Sequence, residues 1–260
     1  GASTTRRVAK EMLRTGRSPK DHSEKMILNN YNAMNFIREY KDEVLTKSMI
    51  FELHRIVTED TLAPEDSGKA GVFRGRDDDI RVYSHDDKLL HTPPLYSELD
   101  ERIQAICDFA NTDNENENYF IPPVIKAIVV HFMIGYDHPF VDGNGRTARA
   151  LFYWIMAKEG YWLMEYISIS RVIKMAPAQY MYAYLHTETD SNDVTYFIIH
   201  QLEVIKTAIK DLHSYLAYKT GEYRKAERLL ENSKLSGVLN YRQLGLLKNG
   251  LDNPGMEYTI

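Results

Sequence analysis

The chain has a single cysteine, Cys107, in 260 residues. That excludes an internal disulfide and fits a reducing, cytoplasmic compartment. Cys107 sits in the helical run from Leu99 to Ala110, where it reads as a small buried apolar residue rather than a catalytic thiol. No apolar run approaches the roughly 18 to 20 residues of a membrane span, and no signal-peptide pattern is visible, so no membrane partner is expected. The chain opens at Gly1 instead of methionine, and its first residues read as an expression or processing remnant. An excess of one charge is also missing: 32 Lys and Arg stand against 37 Asp and Glu, and a net charge of −5 gives no global pull toward nucleic acid. Internal repeats are absent. The 43% apolar content is enough for a proper core and excludes wholesale disorder, and the length suits one main domain with a small appendage.

The N-terminus departs from the average. Residues 1–20 hold Arg6, Arg7, Lys10, Arg14, Arg17 and Lys20 against Glu11 alone, and a solvated helix face is the expected reading. Apolar spacing is mostly helical thereafter. The pattern predicts helices from Met26 to Tyr40, Ser48 to Thr58, Pro94 to Ala110, Val124 to Gly135 behind Pro122-Pro123, Gly145 to Lys158 closed by Gly160, Arg171 (or after Pro177) to Leu185, and Val194 to Tyr218. Residues 62–75, broken by Pro64, Gly68, Gly71 and Gly75, are expected to be loop. Asp79 to Tyr83 is the one convincing strand, with Leu89 to His91 as its partner across Ser84 to Lys88. A polar loop is expected over 111–118. His131, among Val129, Val130 and Phe132, reads as a buried, hydrogen-bonded histidine.

Residues 138–149 read His-Pro-Phe-Val-Asp-Gly-Asn-Gly-Arg-Thr-Ala-Arg. His138 is a general-base candidate, because neutral imidazole accepts a hydroxyl proton near neutral pH. Asp142 offers hard oxygen to Mg²⁺, which takes one or two carboxylates and completes its shell with phosphates and water. Gly143 and Gly145 flank Asn144, so backbone N–H groups can converge on an anion where a helix starts. Arg146 and Arg149, three apart, share a helix face and can grip phosphate oxygens together. Pro139 and Phe140 are expected to be structural, the ring buried beneath the loop. A connector loop with a capping glycine would leave the two arginines and the aspartate unexplained.

Eight of these positions match one known signature at fixed spacing, a coincidence on the order of one in 10⁸ for evenly drawn residues. The stretch resembles the signature of the Fic family, His-Pro-Phe-x-Asp/Glu-Gly-Asn-Gly-Arg-x-x-Arg, and the likeness covers roughly residues 20–215. Leu53-His54-Arg55, Gly71-Val72-Phe73-Arg74, Pro93-Pro94 and Asp193 to Phe197 also look like family segments. The resemblance implies an all-α (mainly) fold, a Fic-type helical bundle with a small β-hairpin flap. It implies a protein adenylyltransferase, in which His138 deprotonates a Ser, Thr or Tyr hydroxyl of a target protein for attack on the α-phosphate of ATP. Asp142 would then place Mg²⁺, Gly143, Asn144 and Gly145 would cradle phosphates, and Arg146 and Arg149 would hold the β- and γ-phosphates. Ile80, Arg81, Val82 and Tyr83 would hold a target segment by strand addition.

One family device is missing. The inhibitory Ser/Thr-x-x-x-Glu-Gly/Asn helix corresponds to Glu24 to Asn29, with Leu28 at the glutamate position. Arg149 is therefore expected to be free, and activity to be constitutive. The domains expected are a basic segment 1–20, a Fic domain 21–220 and a C-terminal helical segment 221–260. That last segment resembles the opening of a winged helix or else is a helical tail, and DNA would be a partner only through a completed C-terminal module. The alternatives are a Fic transferase with another nucleotide donor and a nucleotide-sensing regulator with a DNA-binding module. Self-association stays open.

Overall fold

A computed structural model describes residues 6–83, 87, 89–112, 120–231 and 238–253. The expected hairpin turn at 84–86 and 88, most of the polar loop (113–118) and the C-terminal 254–260 lie outside the described residues. Ten α-helices, three short 3-10 helices and one two-stranded antiparallel sheet make up the described elements. The chain divides into two compact units, 1–205 and 206–260.

The first unit is built around two helices, α5 (Pro123–Asp137) and α6 (Asn144–Lys158), which pack on each other more extensively than any other pair. Pro123 occupies the first turn of α5, where its missing N–H costs nothing. Ala127, Ile128, Val130 and Ile134 of α5 and Ala148, Leu151 and Trp154 of α6 are fully buried. Around this pair stand α2 (His22–Tyr40), α3 (Lys47–Thr58) and α4 (Leu99–Ala110). Asp21 caps α2 by accepting from the Glu24 N–H at 2.8 Å, and Thr46 caps α3 through the Met49 N–H at 3.2 Å. Trp154 buries its ring and donates Nε1–H to the Tyr40 carbonyl at 3.0 Å, joining α6 to the end of α2. Truncating it to alanine would cost about 3–5 kcal/mol. Cys107 and His131 are buried as expected. Burial pushes the Cys107 thiol up to about 11, and His131 Nε2 bonds the Tyr180 hydroxyl at 3.0 Å.

Helix α1 (Arg6–Thr15) precedes α2 and buries Met12, so the basic segment is held by an apolar contact. The loop at 62–75 contains a 3-10 turn, Pro64–Lys69. The strand expected from Asp79 begins only at Val82: β1 (Val82–Tyr83) pairs with β2 (Leu89–His91), Val82 opposite His91 and Tyr83 opposite Leu89. The reason is local. Asp78 accepts the Gly75 N–H at 2.7 Å and pairs with Lys69, and the Ile80 N–H bonds the Asp78 carbonyl at 3.0 Å, so 75–80 is a turn. Of the two starts expected for the helix through Leu185, the one at Pro177 holds for α8 (Pro177–Thr189), and a separate α7 (Ile169–Met175) precedes it. Helix α9 (Thr195–Glu231) runs through Gly221, where the pattern had suggested a break. In the second unit, α10 (Tyr241–Asp252) starts on an Asn240–Gln243 capping box. Tyr223 of α9 donates its hydroxyl to Asp252 of α10 at 2.6 Å.

Candidate active site

The loop between α5 and α6 carries the sequence motif, and its shape follows from two left-handed residues. His138 ends α5 with φ 45°, its N–H on the Ile134 carbonyl at 3.1 Å. Gly143, φ 84°, opens α6. A Cβ there would lie 2.4 Å from Thr58 Cγ2, so glycine is needed both for conformation and for space. Between them Asn144 closes the loop: its Oδ1 accepts the Phe140 N–H at 2.9 Å and its Nδ2 donates to the Phe140 carbonyl at 2.8 Å. Asn144 is almost fully buried, so its side chain holds the loop while its main chain faces the helix start. The first rung of α6 runs from the Thr147 N–H to the Gly143 carbonyl, leaving the N–H groups of Asn144, Gly145 and Arg146 outside the ladder. Such a helix start favours an anion.

His138 is half-buried. Its Nδ1 lies 2.9 Å from the Gly135 carbonyl, which can only accept, so Nδ1 carries the hydrogen and Nε2 the lone pair. Burial lowers the His138 pKa below its ordinary 6.5, which keeps the ring neutral at pH 7. Asp142 is exposed. Its Oδ1 accepts the Gly143 N–H at 2.6 Å, and its Oδ2 meets Arg146 Nη2 at 2.7 Å. Arg146 turns toward α3, donating Nη1 to the Val57 carbonyl at 2.9 Å and to Thr61 Oγ1 at 2.7 Å. Arg149 diverges from it. Its guanidinium lies over Gly145, Nη1 3.1 Å from where a Cβ would stand, and it has no hydrogen bond or ion pair with any described residue. The joint grip expected of the two arginines is thus, in this state, one committed and one free guanidinium.

Two supporting residues carry no site role in the sequence reading. His54 of α3 is fully buried beneath the loop. Its Nδ1 accepts the Gly71 N–H at 2.7 Å, its Nε2 therefore donates to the Asp142 carbonyl at 2.8 Å, and its ring stacks on Phe140 at 3.7 Å. Burial, against a smaller opposing pull from the Asp142 carbonyl, lowers its pKa to about 4. The available signal was a polar residue on the apolar stripe of Ile50, Leu53 and Val57, which implies a buried partner. Arg74 gathers the carbonyls that end α5: its Nε donates to His138 at 2.8 Å, its Nη2 to Asp137 at 3.3 Å and to Pro94, and its N–H to Pro139 at 2.9 Å. The sequence marks Arg74 and Pro94 only as parts of family-like segments, with no hint of this role.

A cleft of about 140 Å³ brings His138 and Gly145 together with Val82, Leu90 and His91 of the hairpin and with one face of α8. Of the hairpin residues singled out from sequence, only Val82 lines it; Ile80, Arg81 and Tyr83 stand outside. Glu24 and Leu28 sit on α2. Glu24 is held by Arg17 Nη1 at 2.7 Å and the Lys20 N–H at 2.8 Å, and the bonds from Arg17 and then Lys20 depress its pKa to about 2. Among the described residues no group of three or more His, Cys, Asp or Glu is arranged to hold a metal. Nor is any described helix long and apolar enough to cross a membrane.

Residues 44–156 match the Fic/DOC family model. Among curated relatives, the "Protein adenylyltransferase Fic" of Nematostella vectensis is 29% identical over 157 residues, covering 59% of this chain and 33% of the relative. The protein of the same name from Drosophila willistoni is 33% identical over 149 residues, covering 56% and 26%. That of Culex quinquefasciatus is 26% identical over 243 residues, covering 92% and 43%. The chain thus spans between a quarter and less than half of the length of these relatives. Among solved structures, a Fic family protein from Desulfovibrio desulfuricans G20 superposes with a TM-score of 0.66 at 16% identity, covering 82% of this chain and 60% of that one. Fic-1 of C. elegans gives 0.60 at 21% identity, covering 85% and 60%. These two likenesses establish a shared fold.

Proposed function

From a chain whose residues 44–156 are a Fic/DOC family domain, we infer a protein adenylyltransferase that moves AMP from ATP to a hydroxyl of a target protein. The observation that carries this reading is the tautomer of His138. With Nδ1–H committed to the Gly135 carbonyl, Nε2 is the basic atom, neutral at pH 7, on the wall of the cleft. It takes the proton of a Ser, Thr or Tyr hydroxyl as the oxygen attacks the α-phosphorus. The bond from that phosphorus to the bridging oxygen breaks, and pyrophosphate leaves. General-base assistance of this kind is worth about 10² to 10⁴ in rate.

The start of α6 supports the phosphate side of the reading. The N–H groups of Asn144, Gly145 and Arg146 lie outside the helical ladder, and Arg149 is a half-buried cation with no partner among the described residues. Arg146, anchored on α3, is positioned to add a fixed positive charge. Such chemistry rests on positioning and on neutralising charge rather than on covalent help from the protein.

Mg²⁺ fits this donor set. Asp142 offers one exposed carboxylate, and Mg²⁺ arriving with a nucleotide needs only one or two while phosphates and water fill the other positions. When bound, it would neutralise phosphate charge. Among the described residues the hairpin has two strands only, so each keeps one unpaired edge for a target segment to extend. Val82, which also lines the cleft, is the residue best placed to connect that segment to His138. A single buried thiol supports a cytoplasmic location.

Incubation with ATP labelled in the α- or the γ-phosphate, alone and with a cell lysate, tests this. Label from the α position on protein is the expected result. Label from the γ position alone would make the chain a kinase, and no label from either would end the adenylyltransferase reading in favour of another nucleotide donor or a sensor.

A further inference from the structure

The cleft wall facing His138 is a stripe of α8, in which Tyr180, Met181, Tyr184, Leu185 and Glu188 recur at helical spacing. Its two ends differ in charge. At the Tyr180 end lies the unpartnered guanidinium of Arg149, whose charge is felt by both Tyr180 and Tyr184. Two turns along, roughly 12 Å on helical geometry, the stripe ends on the carboxylate of Glu188. The lining between them is apolar for the most part, with Val82 and Leu90 of the hairpin added to Met181 and Leu185.

Most polar atoms along this path are already satisfied. The Tyr180 hydroxyl lies 3.4 Å from that of Tyr184, which in turn donates to the His131 carbonyl at 3.4 Å. His91 Nε2 donates to the Tyr136 carbonyl at 2.6 Å, and its Nδ1 pairs with Glu188 Oε2 at 2.9 Å. With one nitrogen on a carbonyl and the other on a carboxylate, both carry hydrogen, and the ring is an imidazolium. That pairing fixes the Glu188 rotamer and leaves Oε1 without a hydrogen-bond partner among the described residues. The Glu188 side chain is 18% exposed, and Oε1 keeps contact with solvent at the end of the cleft. The path therefore reads cation, apolar slot, fixed acceptor. Its complement is a molecule with an anion at one end, a flat apolar body, and an N–H donor at the other.

We propose that Glu188 is a specificity-determining residue for the donor nucleotide, its Oε1 accepting the exocyclic amino group of the adenine ring, with His91 as the positioning residue that holds it. This rests on ATP being the donor, as inferred above. A base lacking that amine would displace water from the carboxylate without replacing its hydrogen bond, and sites built to bond an N–H reject analogues without one.

Calorimetric titration of the 260-residue protein with ATP and with purine riboside 5′-triphosphate, the same ring without its 6-amino group, tests the contact. Wild type is expected to bind ATP about tenfold tighter, the size of one charge-assisted hydrogen bond. Glu188→Leu is expected to bind the two equally, and Glu188→Gln, which keeps a neutral acceptor, to fall between. The wild-type comparison changes only the ligand, so it holds whether or not a variant folds. Equal binding of the two nucleotides to wild type, or a tenfold preference that survives in Glu188→Leu, overturns the base contact and leaves the transferase reading standing. Failure of wild type to bind either nucleotide overturns both.

Discussion

His54 Nε2 and the carbonyl oxygen of Asp142 are 2.8 Å apart, and this one bond ties the buried face of α3 to the loop that presents His138. The same imidazole takes the Gly71 N–H and stacks on Phe140, so it fixes the motif loop from below by one bond and a ring face and ties it to the 62–75 loop by a second bond. Replacing it with alanine opens a void and leaves the part-buried Gly71 N–H and Asp142 carbonyl without this partner. His54→Ala is expected to lose about 2–5 kcal/mol of stability. Its transfer rate is expected to fall about 10- to 100-fold, since small misplacements of reacting groups are costly. Denaturant unfolding and a single-turnover assay on the same preparation check both numbers. Wild-type turnover in a destabilised variant would mean that His54 supports the fold alone.

Acid should unfold the protein partly through this residue. The folded-state pKa of His54 is about 4 against 6.5 when exposed, lowered by burial. Below pH 6.5 the unfolded chain therefore binds a proton that the folded chain refuses. The contribution is complete above 6.5 and is lost as pH falls toward 4, by roughly 3 kcal/mol at most. Unfolding free energy measured between pH 7 and 4 should decline, and decline less steeply in His54→Gln. Parallel slopes would assign the acid sensitivity elsewhere, first to His131, whose pKa burial lowers to about 3.

Gly143→Ala should be worse than its size suggests. The residue sits at φ 84°, and a Cβ would meet Thr58 Cγ2 at 2.4 Å. A loss of about 1–3 kcal/mol is expected from strain and overlap together, with transfer activity falling because the start of α6 shifts. Gly160→Ala, also at φ 84° but with nothing within 4 Å, is the control. It should lose stability with activity intact, as read by thermal unfolding and label transfer.

Arg149 and Glu24 should respond in opposite ways. Arg149 has no partner among the described residues, so Arg149→Ala should weaken ATP binding at least tenfold while leaving thermal stability within a few degrees. Glu24 is tied to Arg17 and Lys20, far from being a restraint on Arg149. Glu24→Ala should lower the unfolding temperature without raising activity. A severalfold gain in label transfer would show that α2 restrains the site after all.

Local rules carried much of this structure. Ser48 to Thr58 reads as a helix because Ile50, Leu53 and Val57 share a face, and α3 covers that span. Proline and glycine placed the ends of α5 and α6, and alternation found the hairpin. The failures are tertiary or concern competing local bonds. Asp78 draws residues 75–80 into a turn at the expense of the first strand. Gly221 is tolerated inside α9 because one glycine costs a helix only about 1 kcal/mol. The motif's composition was legible, but its division of labour was not. Arg146 is drawn away by the Val57 carbonyl 89 positions earlier, Asn144 spends its side chain on Phe140, and Arg74 and His54 reach the loop only because the chain folds back. Sequence spacing within the motif contains no trace of those partners.

The most direct test of the account is to measure ATP binding and AMP transfer side by side in wild type and His138→Ala. His138 contributes a lone pair rather than a phosphate contact, so binding is expected to stay within about threefold while transfer falls by about 10² to 10⁴. Transfer that persists at the wild-type rate in His138→Ala would contradict the assignment of Nε2 as the base and, with it, the central reading of the site.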